Sequence, residues 1–324
     1  VVIAGDRDHR PQDFPASPDL PQADSCPFCA GREDETTPAL ASYCMPAVSE
    51  PGRWQVRVVS NLYPAFVGLP PGDCQSGERA GTDGPNWELS RGRHEVIIES
   101  AIHRRHLTEL SPTEVELVFS AYRDRLRWIR QHGRYAYALV FKNSGRDAGM
   151  SREHLHSQLV ALPDVPPLAR REQLGSLRFY RSHRRCVFCH LIDETLRQQA
   201  RLVLETETVV AFCPYASRVA YEVWILPKRH EAHFDETIDA TLSDIALSVR
   251  ELVRRLQSCL GPFAYNYVLH SNPFDTCRQD HYHWHIEILP RTSRLAGLEW
   301  GTGLLVNTMP PELAAKQLRD AGKI

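Results

Sequence analysis

The stretch Glu153-His154-Leu155-His156-Ser157-Gln158-Leu159-Val160-Ala161-Leu162-Pro163 has a counterpart near the far end of the chain, His283-Trp284-His285-Ile286-Glu287-Ile288-Leu289-Pro290. In an extended strand, side chains two apart share a face, so His154, His156 and Gln158 line up, as do His283, His285 and Glu287. Two imidazoles and an amide on one face suit chemistry at phosphorus. One imidazole can hold a metal or fix the strand, the next can attack a phosphoryl group, and the amide can donate to a phosphoryl oxygen as charge builds.

Outward from these two strands the correspondence continues in the same order. Cys26-Pro27-Phe28-Cys29 is answered by Cys186-Val187-Phe188-Cys189, and the segment holding His103 and His106 by the one holding His230 and His233. Apolar residues at three- and four-residue steps predict a helix from about Pro112 (Val115, Val118, Tyr122, Leu126, Ile129) and another with Ile238, Leu242, Ile245, Val249, Leu252 and Leu256. A strand at residues 137–141 matches one at 265–269, and a Gly-containing loop follows at 143–149. Five matches in order indicate a duplicated strand–helix–strand unit. The expected fold class is α+β, with two tandem modules, each an antiparallel sheet with a packed helix, dividing the chain into residues 1–175 and 176–324.

The duplication sorts the candidate metal ligands into Cys26, Cys29, His103 and His154 in the first copy and Cys186, Cys189, His230 and His283 in the second. Four soft or borderline ligands suit a closed tetrahedral zinc site, which predicts two zinc ions per chain. His106, His233 and His281 are rivals for the histidine positions. With His154 and His283 assigned to metals, His156 and His285 remain for chemistry. A negative Glu287 beside an attacked phosphate repels it, whereas neutral Gln158 donates a hydrogen bond, so the first copy is the catalytic one.

The chain has 324 residues, of which 42% are hydrophobic, enough for a substantial core. Its formal charge of −2 offers no electrostatic case for nucleic acid as the main partner. The nine cysteines include two C-x-x-C pairs and read as metal binding rather than a secreted disulfide framework. No apolar run is long enough to span a bilayer and no signal peptide is evident, which predicts a cytoplasmic protein without a membrane partner.

These residues resemble the galactose-1-phosphate uridylyltransferase family of the histidine-triad superfamily. The resemblance is carried by Arg7-Asp8-His9-Arg10-Pro11, Cys26 to Cys29, Arg57 to Pro64, His94-Glu95-Val96, Phe141-Lys142-Asn143, the quoted stretch, His283-Trp284-His285 and Gly301-Thr302-Gly303. It implies a two-step ping-pong transfer. His156 attacks the α-phosphorus of UDP-glucose, leaving a nucleotidyl-histidine that a second hexose 1-phosphate, galactose 1-phosphate, then discharges, while Gln158 steadies the phosphoryl oxygens. It further implies that Asn143 and Ser151 contact the nucleotide phosphates, Asn61 the nucleotide, and Arg7 and Arg10 the sugar-phosphate end, with Glu299 in a substrate-binding segment, and that the protein is a homodimer.

Two departures stand out. Leu155 lies where the best-known members have Pro, and those members hold a second-half metal with His residues and a Glu, of which Glu172 and His270 are candidate remnants. Cys186 and Cys189, with Glu299-Trp300-Gly301-Thr302-Gly303, look more like relatives that act as ADP-glucose phosphorylases, in which phosphate takes the nucleotidyl group. A hydrolase or phosphorylase acting on dinucleotides or nucleotide-sugars, and a non-catalytic zinc-binding module, are the other readings. The near-neutral charge argues against a nucleic-acid module, and the His156/Gln158 asymmetry against any non-catalytic one.

Overall fold

In a computed structural model, which describes residues 2–3, 26–45, 54–66, 91–132, 134–274 and 280–323, the quoted stretch forms strand β6 (His156–Leu162). Arg7 and Arg10 and the loop at 70–86 lie outside the described residues. β6 runs antiparallel between β4 (Arg93–Ile98) and β5 (Tyr137–Ser144), with Gln158 opposite Val96 on one side and Phe141 on the other. β3 (Val56–Ser60) and β2 (Ala39–Tyr43) extend the sheet beyond β4, so the spatial order is β2-β3-β4-β6-β5.

Helix α1 (Pro112–Gln131) connects β4 to β5. Ser111 accepts from the Glu114 N–H and Glu114 reaches back to the Ser111 N–H, a reciprocal cap that satisfies two otherwise orphaned donors. Pro112 at the first helical position loses nothing, because its missing N–H has no helical partner there.

The second half repeats this plan with β7 (Leu202–Glu205), β8 (Val209–Phe212), β9 (Val223–Pro227), α4 (Asp239–Leu260), β10 (Tyr265–His270) and β11 (His285–Pro290), in the order β7-β8-β9-β11-β10. β5 and β10 pair antiparallel, with Asn143 opposite Asn266, and the two five-stranded halves close into one ten-stranded sheet. This pairing carries β5 on to Ser144, so Asn143 and Ser144 lie in the strand and not in the loop expected from residue 143 onward.

Helices α2 (Pro167–His183) and α3 (Val187–Gln198) join the halves, and the division expected at 175/176 falls inside α2. That helix buries only Ala169 and Ser176, so its sequence carries little apolar periodicity. The C-terminal part holds α5 (Gly297–Thr302), α6 (Pro311–Ala321) and β12 (Val306–Asn307), which pairs in parallel with β1 (Val2–Ile3).

Both long helices cover one face of the sheet. Val118, Phe119, Tyr122 and Leu126 of α1 and Ile245, Val249 and Leu252 of α4 are buried in one core with Val58, Ile97, Leu159, Ile225, Tyr267 and Ile286. Ser157 points to this face, where it meets Tyr122. By strand alternation His156 and Gln158 point to the opposite one. No helix among the described residues is long and apolar enough to cross a membrane.

A charged pair, Lys142 and Glu99, lies inside this core. Lys142 and Glu99 are 1% and 0% exposed at the side chain and meet at 2.6 Å, and Lys142 Nζ also donates to the His156 carbonyl at 2.9 Å. Tyr122 donates to Glu99 at 2.6 Å, and Ser157 donates to the same carboxylate. Lys142→Met leaves that carboxylate buried without its cation and is expected to cost about 3–5 kcal/mol of unfolding free energy. Urea denaturation measures it; a loss below about 1 kcal/mol would mean the pair is exposed in solution.

Candidate active site and metal-binding groups

His156 is 7% exposed at the start of β6, and its Nδ1 lies 2.7 Å from the His154 carbonyl. A carbonyl only accepts, so Nδ1 carries the proton and Nε2 presents a bare lone pair. Burial lowers the pKa of this ring, against the opposing hydrogen bond to the His154 carbonyl, and keeps it neutral. The ring stands edge-on to Phe28 at 5.5 Å, and Lys142 holds the backbone carbonyl from behind. A neutral, fixed imidazole with a free nitrogen is a nucleophile that needs no base.

Gln158 lies on the same face, with Oε1 2.8 Å from His94 Nε2. Asn61 Nδ2 is 3.2 Å from that nitrogen, so the structure brings Asn61, His94 and Gln158 together. Asn143 accepts from Asn266 Nδ2 at 2.8 Å across the β5–β10 seam. The chain then turns through Gly145 (φ 84°), where an added Cβ would come within 2.7 Å of Ala264 Cβ. Ser151 is exposed on the segment leading into β6. Glu299 caps α5 by accepting from the Ala296 N–H at 2.9 Å, and the neighbouring Trp300 lines a cavity of ≈ 480 Å³ with Arg146, Gly149 and Arg294.

The predicted metal ligands gather in two groups. The ligand atoms of Cys26, Cys29, His103 and His154 lie within 4.8 Å of one another, as do those of Cys186, Cys189, His230 and His283. The rivals His106, His233 and His281 are in neither group. His154 Nδ1 is 3.5 Å from Cys26 Sγ and 3.6 Å from Cys29 Sγ, and His103 Nδ1 is 3.8 Å from Cys29 Sγ. In the second group Cys189 Sγ is 3.3 Å from His230 Nδ1 and 3.6 Å from His283 Nδ1.

A tetrahedral ion with bonds of about 2.3 Å to sulfur and about 2.0 Å to nitrogen sets neighbouring S and N about 3.6 Å apart, so both groups fit. His154 Nε2 donates to the Ser100 carbonyl at 2.8 Å, which leaves Nδ1 bare toward the sulfurs, and burial pushes its pKa down to about 4. Burial and the adjacent Cys26 push the Cys29 thiol up to about 11, a repulsion that a cation between the two sulfurs reverses.

His285, the counterpart of His156, is differently placed. Its Nδ1 donates to the His283 carbonyl at 3.1 Å, but the ring is 0% exposed and Nε2 faces Glu172 at 3.3 Å and Glu287 at 3.8 Å. Burial alone would raise the Glu287 pKa; His270 and Arg218 instead hold it well below the usual carboxylate range. Ligand atoms of Glu172, His270 and His285 form a third compact group, the remnant anticipated from the sequence. A nitrogen enclosed by two carboxylates is no site for an anionic phosphoryl group.

His94, Glu99, Lys142 and Tyr267 carry no role in the sequence, and Tyr122 only a place on the apolar face of a helix. His94 carried a signal, a histidine alternating with Val96 on a strand; the others are recognisable only once their partners are known.

A duplicated antiparallel sheet that presents a neutral histidine and an amide beside a Cys2His2 group defines an enzyme of phosphoryl chemistry. The pattern described as the N-terminal domain of galactose-1-phosphate uridyl transferase matches residues 11–166, and a domain of unknown function, DUF4921, matches residues 89–321. ADP-glucose phosphorylase of Arabidopsis thaliana is 32% identical over 331 residues, covering 99% of this chain and 89% of that protein. Galactose-1-phosphate uridylyltransferase of Thermotoga maritima is 27% identical over 320 residues, covering 94% and 91%. The crystal structure of the Arabidopsis ADP-glucose phosphorylase with bound ADP-glucose superposes with a TM-score of 0.83 at 30% identity, over 98% of this chain and 94% of that one. The chain belongs to the galactose-1-phosphate uridylyltransferase family, and is a nucleotidyltransferase.

Cys26→Ser is expected to lower the metal content by about one ion per chain and to lower the melting temperature with it, because a closed metal site is coupled to folding. Elemental analysis of Cys26→Ser and Cys186→Ser checks the two groups separately; unchanged metal in either variant removes that cysteine from the ligands.

Proposed function

We propose that the chain transfers a nucleoside monophosphate from a nucleoside diphosphate hexose through His156, with ADP-glucose as donor and phosphate as acceptor. His156 Nε2 attacks the α-phosphorus, the bond from that phosphorus to the bridging oxygen breaks, and hexose 1-phosphate leaves with the electron pair. Nδ1–H, hydrogen-bonded to the His154 carbonyl, stabilises the positive charge that the ring acquires. An acceptor phosphate oxygen then attacks the same phosphorus and regenerates neutral His156. The observation that carries this reading is the bare Nε2 of the fixed His156 ring, which shares with Gln158 the face of the sheet opposite the two long helices.

The donor assignment is supported by the identity to the Arabidopsis phosphorylase across nearly the whole chain. A second reading, UMP transfer from UDP-glucose to galactose 1-phosphate, is favoured by the match of residues 11–166 and by the Thermotoga relative. Each Cys2His2 group holds one zinc, whose contribution is to pin the C-x-x-C segment to the strand that carries the reactive histidine. The N-terminal half, 1–175, performs the chemistry and the C-terminal half, 176–324, supports it. The acting species is a homodimer, for which the exposed Leu295, Leu298, Trp300 and Leu304 offer an apolar surface.

Incubation with ADP-glucose or UDP-glucose labelled on the α-phosphate, followed by intact mass, is expected to give an adenylyl adduct that phosphate discharges. A uridylyl adduct discharged only by galactose 1-phosphate moves the protein to the second reading. His156→Ala is expected to lose the adduct completely while keeping its fold and metal; turnover retained in that variant would remove His156 as the nucleophile.

A further inference from the structure

We infer that His94 is the positioning residue that turns Gln158 into a hydrogen-bond donor toward the phosphoryl group, an inference that rests on the nucleotidyl-histidine reading. The Ala65 backbone N–H donates to His94 Nδ1 at 3.0 Å. An amide N–H can only donate, so Nδ1 is bare. Burial lowers the His94 pKa, with the bond to Gln158 opposing it, and the ring is neutral with its one proton on Nε2.

That proton points at Gln158, whose Oε1 is 2.8 Å away. The amide oxygen is therefore engaged, and the NH2 end of Gln158 is left for whatever sits beside His156. A rotated amide would set two N–H groups against each other and turn a carbonyl toward an anion. The Asn61 Oδ1 accepts from the Tyr63 N–H at 2.9 Å, so its NH2 group stands 3.2 Å from the same Nε2; with the proton on Nε2 this contact is donor against donor, and the Asn61 amide donates elsewhere.

The duplication supplies an independent observation. Val96 lies opposite Gln158 and Trp224 opposite Glu287, so the residue two before each, His94 and Glu222, occupies the same place in its own half. Arg218 bridges Glu222 at 2.7 Å and Glu287 at 2.6 Å. Both halves thus use this position, directly in the first and through Arg218 in the second, to orient the side chain two residues after the second histidine. In the first half it fixes an amide as donor; in the second it fixes a carboxylate.

The test is single-turnover formation of the nucleotidyl adduct by the metal-loaded full chain with α-labelled ADP-glucose and UDP-glucose. His94→Phe is expected to slow adduct formation about 10- to 100-fold, with KM for the nucleotide-sugar changed less than about three-fold. His94→Gln, which restores a donor, is expected to recover most of the rate. In a Gln158→Ala background His94→Phe should add nothing, because both changes remove the same donor. Multiplying losses in the double variant, or a His94→Phe protein as fast as native, would overturn the inference while leaving the nucleotidyl-histidine intact. If His94→Phe does not fold, His94→Gln decides: a folded His94→Gln protein as slow as Gln158→Ala overturns it. A native chain that takes no label from either donor overturns both readings.

Discussion

The Glu99 carboxylate is a buried charge on which two strands and a helix converge. It lies just beyond the end of β4 and takes hydrogen bonds from Lys142 of β5, Ser157 of β6 and Tyr122 of α1, while Tyr122 and Ser157 both reach Tyr267 of β10 in the second half. A buried carboxylate is tolerable only when each lone pair is engaged and a cation is adjacent. Three elements, β5, β6 and α1, must therefore converge on the end of β4 before this carboxylate is satisfied, and β10 braces two of the donors. The same lysine fixes the His156 carbonyl, so the constraint reaches the His156 backbone through a single hydrogen bond. Core and site are held by one network rather than two.

From that point the two halves diverge over a shared frame. Each has the same strand order, one long helix, a C-x-x-C pair and a His-x-His strand, and they meet along the β5–β10 seam. In the first half the second histidine retains a free nitrogen beside a neutral amide. In the second the equivalent nitrogen is enclosed by Glu172 and Glu287, and Arg218 balances the charge. The second copy is closed to an anionic phosphoryl group by burial of the His285 ring and by the two carboxylates that face it.

Much of this was legible in the sequence because periodicity and duplication are local signals. The alternation at His154, His156 and Gln158 and the three- and four-residue steps of α1 and α4 depend only on residues near in sequence. The choice of His103 over His106 did not: both sit in an irregular segment, and only the folded chain sets the His103 ring 5.1 Å from that of His154. Lys142 and Glu99 look like solvated charges until folding brings together two residues 43 positions apart. His94 acquires meaning from Gln158, 64 residues on, and from a backbone N–H that no pattern records. Helix α2 escaped notice because it buries almost nothing.

The central claim is that the nucleophile is the histidine of the first half and not its structural twin. The most direct measurement is proteolysis of the enzyme labelled from an α-³²P nucleotide-sugar, under alkaline conditions that preserve a phosphoramidate, with the label located by tandem mass spectrometry. The structure predicts one labelled site, on Nε2 of His156. Label on His285, or on any residue other than His156, would contradict the account.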